Sequence, residues 1–337
     1  MLKIQLGYDL FAVDGPPPLH ATVDEWIANA RRSFGDLNAI EYVTGPGFGF
    51  AGGAVLIAKV AGNKHLVVTI NPNNGVPLGK FIWEDTYISS ILRFHVRLVA
   101  PLPWRSWGQD TIAWIGGALI VSIATGLYLW WPPDRGWRSA LTLKRAARGR
   151  RRLHNLHNVL AVCLFIPLLI IVFTGVYLIR PDWIDPAVTL VSVARTPDPE
   201  ALARISKPGS CGSRTTPGQA VALAQARFSS AKFASISIPE KQELPYLVQL
   251  APPNNVGDRG QTRVFVDREC PIILTAIDGE VSVAAETFQA IMHPLHQTLM
   301  LGRIGQGIAF LAALLLPVSF VTGLVLWLGK RKDRTRT

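Results

Sequence analysis

The chain contains three long apolar runs, at residues 112–131, 159–179 and 308–328, and none of them includes a charged side chain. A helix needs about 20 consecutive apolar residues to cross the hydrocarbon core of a bilayer. Each run meets that length, so the pattern predicts three transmembrane helices. The intervening segments mix apolar and polar positions and predict folded regions outside the membrane.

Two of these intervening segments have the same order of predicted elements. Each begins with an amphipathic helix, at residues 22–34 and 216–228, and continues with strand-like stretches. An amphipathic segment then leads into the next apolar run, at residues 87–99 and 286–300. We therefore expect a duplicated unit of helix, sheet and membrane span. The strand-like stretches are residues 54–60, 65–70, 246–250 and 263–266.

Basic residues are concentrated beside two of the apolar runs. Residues 132–153 hold eight Lys and Arg against one acidic residue, and residues 329–337 hold five against one, which accounts for the whole net charge of +11. Basic loops stay in the cytoplasm, so we expect both segments inside and residues 1–111 and 180–307 outside. These basic residues border the membrane helices and do not belong to a separate basic domain. Their placement therefore does not favour nucleic-acid binding.

The fold class expected from this pattern is an α+β membrane protein with three transmembrane helices and two duplicated α+β domains outside the membrane. The first outer domain has to be exported, yet residues 1–20 lack the charged n-region and apolar core of a signal peptide. We therefore expect a further transmembrane helix before Met1. The predicted parts are an extracytoplasmic domain (1–110), a transmembrane helix (111–131), a basic cytoplasmic loop (132–158), a transmembrane helix (159–180), an extracytoplasmic domain (181–303), a transmembrane helix (304–328) and a basic cytoplasmic tail (329–337).

Five of the seven histidines stand at the edges of the apolar runs. His154 with His157, and His293 with His296, are HxxH pairs, a spacing that places both imidazoles on one face of a helix. His95 aligns with His296 in the two predicted repeats. Ionisable groups near a membrane core are costly, and imidazole is a common ligand of transition metals. The pattern predicts haem or metal near the two membrane faces; interfacial amphipathic side chains are the alternative interpretation.

Low-spin haem takes one imidazole on each side of the iron. His95 and His296 occupy matched positions in the repeats, so we expect them to ligate an outer haem. His154 or His157 lies at the inner side, where its partner is expected from the helix before Met1. No glutamate follows in the order HExxH, so a zinc protease is not favoured.

The three cysteines differ in setting. Cys211 and Cys270 fall in the second outer segment, where an oxidising compartment permits a disulfide. Sequence does not show whether their Cα atoms approach within about 7 Å, so a disulfide and two free thiols both stay open. Cys163 lies inside the second span and is expected to be a small buried hydrophobic side chain.

Glycines mark two further motifs. Residues 47–52 match GxGxxG, but a strand-like stretch follows where a dinucleotide site requires a helix, so a hairpin loop is expected. Every apolar run contains a Thr-Gly pair, at residues 125–126, 174–175 and 322–323. Such small residues either allow close helix packing, the simpler interpretation, or leave room for a flat macrocycle.

The order of these motifs resembles the PepSY-associated transmembrane family over roughly residues 20–330. An outer domain with an NPxxG turn leads through a histidine segment to a TGxxxW span, a basic loop and LHNLHN, and a second outer domain leads through LHxxL to TGLxLW. The resemblance implies a bacterial inner-membrane protein with two PepSY-like domains. Relatives usually have four transmembrane helices, the first of which carries another histidine. Some resemble ferric-siderophore reductases that hold two haems.

Residue by residue, His95 and His296 match the family's outer histidine positions, His154 and His157 match the inner ones, and His293 stands beside them in the second HxxH pair. The resemblance implies haem b, with iron bound through His95, His296 and His157. It also implies a ferric chelate as substrate and an unidentified cytoplasmic electron donor. The expected function is reduction of ferric siderophores or related iron chelates on the periplasmic side for iron uptake. The alternatives are a non-enzymatic PepSY module that binds an extracytoplasmic protein and a non-haem di-metal oxidase.

Overall fold

The protein is described by a computed structural model in which the chain forms two compact units. Met1–His95 with Ala187–Ala290 form the extramembrane unit, and Val96–Pro186 with Ile291–Thr337 form the membrane unit. Side chains are described as far as residue 329. The structure describes residues 13, 21–35, 37, 39–48, 53–62, 64–101, 104–131, 149–204, 211, 213–253, 255 and 261–334.

The described elements alternate α+β segments with long apolar helices. The α-helices are α1 (Val23–Phe34), α2 (Tyr87–Arg97), α3 (Arg105–Trp130), α4 (Gly149–Ile179), α5 (Asp185–Thr189), α6 (Pro199–Ala203), α7 (Pro217–Arg227), α8 (Ala284–His296) and α9 (Gly302–Arg334). The strands are β1 (Ala39–Thr44), β2 (Ala54–Val60), β3 (Lys64–Ile70), β4 (Pro77–Ile82), β5 (Lys232–Ser237), β6 (Tyr246–Ala251), β7 (Thr262–Val266) and β8 (Ile273–Ile277).

The two halves of the extramembrane unit begin with helices that start in the same way. The Thr22 hydroxyl accepts a hydrogen bond from the Glu25 backbone N–H, and the Glu25 carboxylate accepts one from the Thr22 N–H. Thr216 and Gln219 form the same reciprocal pair at the start of α7. Each capping box satisfies two backbone donors that the helix itself leaves unpaired.

The described strands form one antiparallel sheet in the order β4-β3-β2-β1-β5-β6-β7-β8. The halves meet where β1 pairs with β5, with Val43 opposite Ile236. Trp26 of α1 and Val221 of α7 belong to a single buried cluster together with these two residues. The halves therefore share one hydrophobic core. The α+β fold class is confirmed, whereas an origin by duplication stays a prediction.

Asp24 joins the helices of the two halves. Its carboxylate accepts hydrogen bonds from the Thr216 hydroxyl at 2.5 Å and from the Gly218 backbone N–H at 2.9 Å. A Cβ on Gly218 would lie 2.5 Å from a carboxylate oxygen, so glycine permits this approach. The negative charge lies at the positive end of the α7 dipole, which is the favourable end for an anion.

The membrane unit contains three helices able to span a bilayer by length and composition, within Arg105–Trp130, Gly149–Ile179 and Leu299–Gly329. The three predicted transmembrane helices are thereby confirmed. Helix α4 packs against both α3 and α9, and Leu164 and Ala312 lie in a small buried cluster between α4 and α9. Much of the remaining helix surface is exposed and apolar, as lipid-facing helices require.

Two details differ from the predictions. Helix α4 begins at Gly149 rather than near residue 159, so His154 and His157 lie within the helix. The prediction that Cys163 is buried is wrong, because its side chain lies on an exposed face of α4 in the described structure. Pro167 and Pro317 lie inside α4 and α9, and the kinks expected there stay predictions.

Candidate functional site

His157 on α4 contacts the Thr322-Gly323 pair of α9. Its Nδ1 lies 3.1 Å from the backbone oxygen of Ser319 and 3.1 Å from Oγ1 of Thr322. The Cε1 corner of the ring points at Gly323, and a Cβ on that glycine would lie 3.0 Å from Cε1. This distance is shorter than an ordinary van der Waals contact. The imidazole can therefore occupy this position only because residue 323 is a glycine.

His296 at the end of α8 has the same surroundings on α4. Its Nδ1 lies 2.9 Å from the backbone oxygen of Ile171 and 3.1 Å from Oγ1 of Thr174. A Cβ on Gly175 would lie 2.9 Å from Cε1 of this imidazole. In both places the carbonyl belongs to the residue four positions before the glycine and the hydroxyl to the residue directly before it. The two histidines therefore occupy two copies of one arrangement.

These contacts determine the tautomer of both imidazoles. A backbone carbonyl only accepts hydrogen bonds, so Nδ1 of His157 and of His296 carries the proton. Each threonine hydroxyl donates to a carbonyl of its own helix, at 2.9 Å for Thr322 and 2.7 Å for Thr174, and its lone pairs remain to accept from Nδ1–H. In a neutral imidazole of this tautomer, the lone pair of Nε2 is the one that ligates a metal.

The third Thr-Gly pair, in α3, has different surroundings. The Thr125 hydroxyl donates to the backbone oxygen of Val121 at 2.8 Å. A Cβ on Gly126 would have no neighbour within 4 Å in the described structure. The small size of Gly126 therefore leaves open space rather than a helix contact.

That open space is a cavity of about 440 Å³ between α3, α4 and α9. His157, Gly126 and Gly323 line it, so the imidazole and two glycines face the same volume. Phe165 and Phe320 provide aromatic walls. Cofactor and ligand sites are typically apolar cavities of about 300–1,000 Å³ with a few polar groups, and this cavity has both properties.

A second, more open cavity of about 550 Å³ lies between α4 and α9, and we name it the basic mouth. Trp327 lines both cavities, so the basic mouth adjoins the cavity beside His157. The residues of the basic mouth are Arg150, Arg151, His154, Leu326 and Trp327.

The remaining predicted site histidines have other environments. His154 is exposed, with its Nδ1 3.5 Å from Nδ2 of Asn158. The Nε2 of His293 lies 3.1 Å from the side-chain nitrogen of Gln297. The two imidazoles of each HxxH pair thus have different neighbours. His95 is exposed on α2 and belongs to the extramembrane unit, so its pairing with His296 of the membrane unit stays a prediction.

The donor groups at this site suit haem. Within the described ranges, no three His, Cys, Asp or Glu side chains lie close enough together to hold a metal ion. Haem iron needs only one imidazole on a given face, because the macrocycle supplies the in-plane ligands. His157 offers that imidazole beside an apolar cavity, and Gly126 leaves open space in the same cavity.

The Thr-Gly pairs show what sequence inspection missed. Thr174-Gly175 and Thr322-Gly323 each contact a histidine, although helix packing was the simpler interpretation. The backbone oxygens of Ile171 and Ser319 were not identified, because no side-chain motif marks them. The available signal was recurrence: the same dipeptide stands in every span of a chain whose histidines also recur.

The first turn of α8, the helix that ends at His296, is held by an ion pair in the extramembrane unit. The Glu286 carboxylate accepts hydrogen bonds from the Arg195 side chain at 2.7 and 2.9 Å and from its backbone N–H at 2.9 Å. Burial raises the pKa of the Glu286 carboxyl, but these hydrogen bonds, one from the Val283 N–H and the charge of Arg195 together lower it below the ordinary value. The carboxylate is therefore ionised at neutral pH.

Cys211 and Cys270 are joined by a disulfide in the extramembrane unit, with their Cα atoms 5.4 Å apart. This separation lies in the usual range for disulfides. Of the two alternatives that the sequence left open, the structure contains the bonded one. The bond closes a long loop that includes α7, β5, β6 and β7.

The glycine-rich segment 47–52 connects β1 to β2, which pair antiparallel. Gly47 has a φ of +83°, a conformation that favours glycine in a tight turn. Residues 49–52 lie outside the described residues. A strand rather than a helix follows the loop, so the strand–loop–helix order of a dinucleotide site is not formed.

Comparison with known families supports the relationship that the motif order indicates. The family model for the PepSY-associated TM region matches residues 12–330, which include the three long helices and both histidine arrangements. No curated protein matches the chain. The chain belongs to the PepSY-associated transmembrane family.

Proposed function

We propose that the protein is a haem-binding oxidoreductase of the bacterial inner membrane that reduces ferric siderophores or related iron chelates on the periplasmic side for iron uptake. The main support is the repeated arrangement in which a Thr-Gly pair holds Nδ1 of a histidine and leaves Nε2 for a metal. Haem b bound at these positions would supply one-electron transfer. Membership of the PepSY-associated transmembrane family is compatible with this role.

The residues around His157 have distinct roles in this proposal. Nε2 of His157 would hold the iron, while Thr322 and the Ser319 carbonyl accept from Nδ1–H, orient the ring and raise its basicity. Gly126 leaves room for the ring system, and Gly323 allows the imidazole to approach α9. The apolar walls exclude water, which favours retention of an apolar cofactor.

The positions of the two histidine arrangements along α4 suit electron transfer across the bilayer. His157 belongs to α4 itself, and His296 contacts Gly175 of the same helix. Positions 157 and 175 are 18 residues apart, which corresponds to about 27 Å along an α-helix. A hydrocarbon core is about 30 Å thick, so one arrangement lies near each face. We assign His157 to the inner haem and His296, with His95, to the outer haem.

The chemistry proposed for the substrate is transfer of one electron from a cytoplasmic donor, through the protein, to chelated Fe(III). The iron becomes Fe(II) and the donor is oxidised by the same electron. Hard oxygen ligands hold Fe(II) less tightly than Fe(III) because of its lower charge and greater softness, so reduction releases the metal. The proposal places the basic segments in the cytoplasm and the extramembrane unit in the periplasm, following the rule for positive loops.

The absorption spectrum of the purified full chain, oxidised and then reduced with dithionite, tests haem binding. We expect a Soret band that sharpens and shifts on reduction, as low-spin haem requires. A folded but colourless protein would contradict the proposal and favour the alternative, a module that binds an extracytoplasmic protein partner.

Mixing the dithionite-reduced protein, freed of excess reductant, with a ferric hydroxamate or catecholate chelate tests the reductase step. We expect the haem to reoxidise while a ferrous-specific chelator captures an equal amount of Fe(II). Haem that stays reduced in the presence of the chelate would contradict the reductase role while leaving haem binding intact.

A further inference from the structure

The basic mouth lies beside the cavity that His157 faces, and Trp327 lines both. We propose that Arg151, together with Arg150 and His154, binds the carboxylates of the cofactor whose ring occupies that cavity. This inference rests on the proposed function. It identifies residues that fix the orientation of the cofactor, which iron ligation by an imidazole leaves undetermined.

The two adjoining cavities differ in polarity and charge, and the difference matches the apolar ring and the anionic carboxylates of haem. The cavity beside His157 is mainly apolar, whereas the basic mouth contains two guanidinium groups and an imidazole. An occupant that fills both has an apolar body and an anionic end, and the two propionates of haem b provide that end. Guanidinium groups pair with carboxylates through two parallel hydrogen bonds, which gives direction as well as charge neutralisation.

The spacing along α4 brings the mouth and the iron ligand onto one face. Arg150, His154 and His157 follow one another at intervals of four and three residues, which places them on a single stripe of the helix. Arg151 lies three residues before His154 and lines the mouth with it. Arg152 is the next residue in the chain and does not line the mouth, because each position turns the helix by about 100°.

Charge balance supports an anionic occupant. Helix α4 contains no Asp or Glu, and neither does the part of α9 whose side chains are described, residues 302–329. The acidic residue of α3, Asp110, pairs with Arg180 at the other end of α4. The described side chains of these three helices therefore supply no carboxylate for Arg151, and a guanidinium group pairs favourably with an anionic ligand.

Contacts with α9 hold the Arg150 side chain in place, which suits a residue that binds a carboxylate. One of its terminal nitrogens donates to the backbone oxygen of Leu326 at 3.4 Å. Its Cζ lies 3.3 Å from the position of a Cβ on Gly329, so the guanidinium packs closely on α9. Such contacts reduce the conformational freedom lost when a carboxylate binds, since the side chain is already ordered.

The test compares Arg151→Gln with Arg152→Gln in the full chain purified with haem. The two variants remove the same charge from neighbouring positions, so any general effect of charge on the membrane end is matched. We measure the midpoint potential of the inner haem by optical redox titration, and haem and phospholipid content per protein. We expect Arg151→Gln to shift the midpoint to lower potential, because losing a cation beside the carboxylates favours the ferric state. Arg152→Gln is expected to retain the parent potential.

Several results would overturn the inference. Equal potentials in the two variants show that the mouth does not hold the carboxylates. Loss of an anionic phospholipid from Arg151→Gln, with the potential unchanged, assigns the mouth to a lipid phosphate instead. A parent protein without haem overturns the proposed function together with this inference, whereas a haem-containing parent with matched variants overturns the inference alone. The double variant Arg150→Gln with Arg151→Gln is expected to lose several-fold more haem than Arg152→Gln.

Discussion

The Cε1 corner of His157 points at Gly323 from a distance of 3.0 Å to the position that a Cβ would occupy. His296 makes the corresponding approach to Gly175 at 2.9 Å. The same geometry therefore occurs twice, on different helices, with the same set of hydrogen-bonding partners around Nδ1. In both places the imidazole position therefore requires a glycine on the neighbouring helix as well as the two oxygen atoms that accept from Nδ1–H.

This dependence predicts that Gly323→Ala displaces His157. The added methyl group would force the ring away from its acceptors on α9, and we expect the affinity for haem at this site to fall about tenfold or more. Haem content per protein and the reduced spectrum are the measurements. Gly307→Ala, in the same helix, is the matched control, because a Cβ there meets no atom within 4 Å in the described structure. Equal haem content in the two variants would contradict the assigned role of Gly323.

The alignment of His95 with His296 in the two predicted repeats predicts that His95→Ala and His296→Ala each remove the same haem. The double variant is then expected to lose no more haem than either single variant. His65→Ala serves as control, since the Nδ1 of His65 is engaged by the Glu84 carboxylate at 2.8 Å in the extramembrane unit. Pyridine haemochrome analysis gives the haem content. Unchanged content in both site variants would exclude this outer site.

The charge distribution predicts that the orientation in the membrane depends on the basic residues just before α4 and in its first turn. Neutralising five arginines among them is expected to give a mixed topology, because Lys and Arg near span ends dominate orientation. A reporter fused to the C-terminus should be wholly cytoplasmic in the parent and partly external in the variant. An external tail in the parent would invert the assignment of the two membrane faces. The substituted residues are Arg145, Arg148, Arg150, Arg151 and Arg152.

The disulfide predicts a loss of stability in Cys211→Ser. The bonded cysteines are 59 residues apart, and closing a loop of that length contributes about 4 kcal/mol in the chain-entropy model. Urea unfolding of the extramembrane unit within the full chain is the measurement. Cys163→Ser is the control, because Cys163 is a free thiol on α4. Reductant should lower the stability of the parent to that of Cys211→Ser, and no such loss would show that the bond contributes nothing.

The lowered pKa of Glu286 predicts a pH-dependent contribution to stability. A carboxyl with a folded-state pKa below its ordinary value of 4.5 stabilises the fold above that pH, and the contribution is lost as pH falls through the folded-state pKa. We expect Glu286→Gln to lower the free energy of unfolding at pH 7 by about 1 kcal/mol, because Arg195 is partly exposed. The difference from the parent should vanish as the pH falls below the folded-state pKa of Glu286.

Glu280→Gln is the control for this pH dependence, since Glu280 is exposed and lies close to Glu286 in the chain. Its thermal unfolding should follow that of the parent across the same pH range. A difference between Glu286→Gln and the parent that persists below the folded-state pKa of Glu286 would indicate lost packing rather than lost charge.

The local sequence pattern was sufficient to predict part of the fold. The three spans were evident because length and apolarity alone decide whether a helix can cross a bilayer. Helices α1 and α7 were evident because their capping residues and apolar spacing are local features. Strand β2 was predicted with its observed bounds, and the stretch corresponding to β3 lacked only Lys64.

Four strands were not predicted, for reasons that lie in the sheet. Strands β1 and β5 each contain a register shift, between Ile40 and Tyr42 and between Phe233 and Ser235, which breaks the two-residue alternation of apolar positions. Strands β4 and β8 are the edges of the sheet and bury few side chains. Their pairing, and the meeting of the two halves at β1 and β5, depend on contacts between residues far apart in the chain.

For the candidate site, too, the sequence determined some features and the tertiary structure determined others. The sequence was enough to select the histidines and the Thr-Gly pairs, because residue type and recurrence identify groups capable of the chemistry. Tertiary contacts alone decided that His157 meets Gly323 on another helix, that the Ser319 carbonyl accepts a hydrogen bond from Nδ1–H, and that the lone pair of the neutral ring is therefore on Nε2. The physical reason is distance: hydrogen bonding and van der Waals exclusion act over a few ångströms, between residues that stand more than 160 positions apart in the chain.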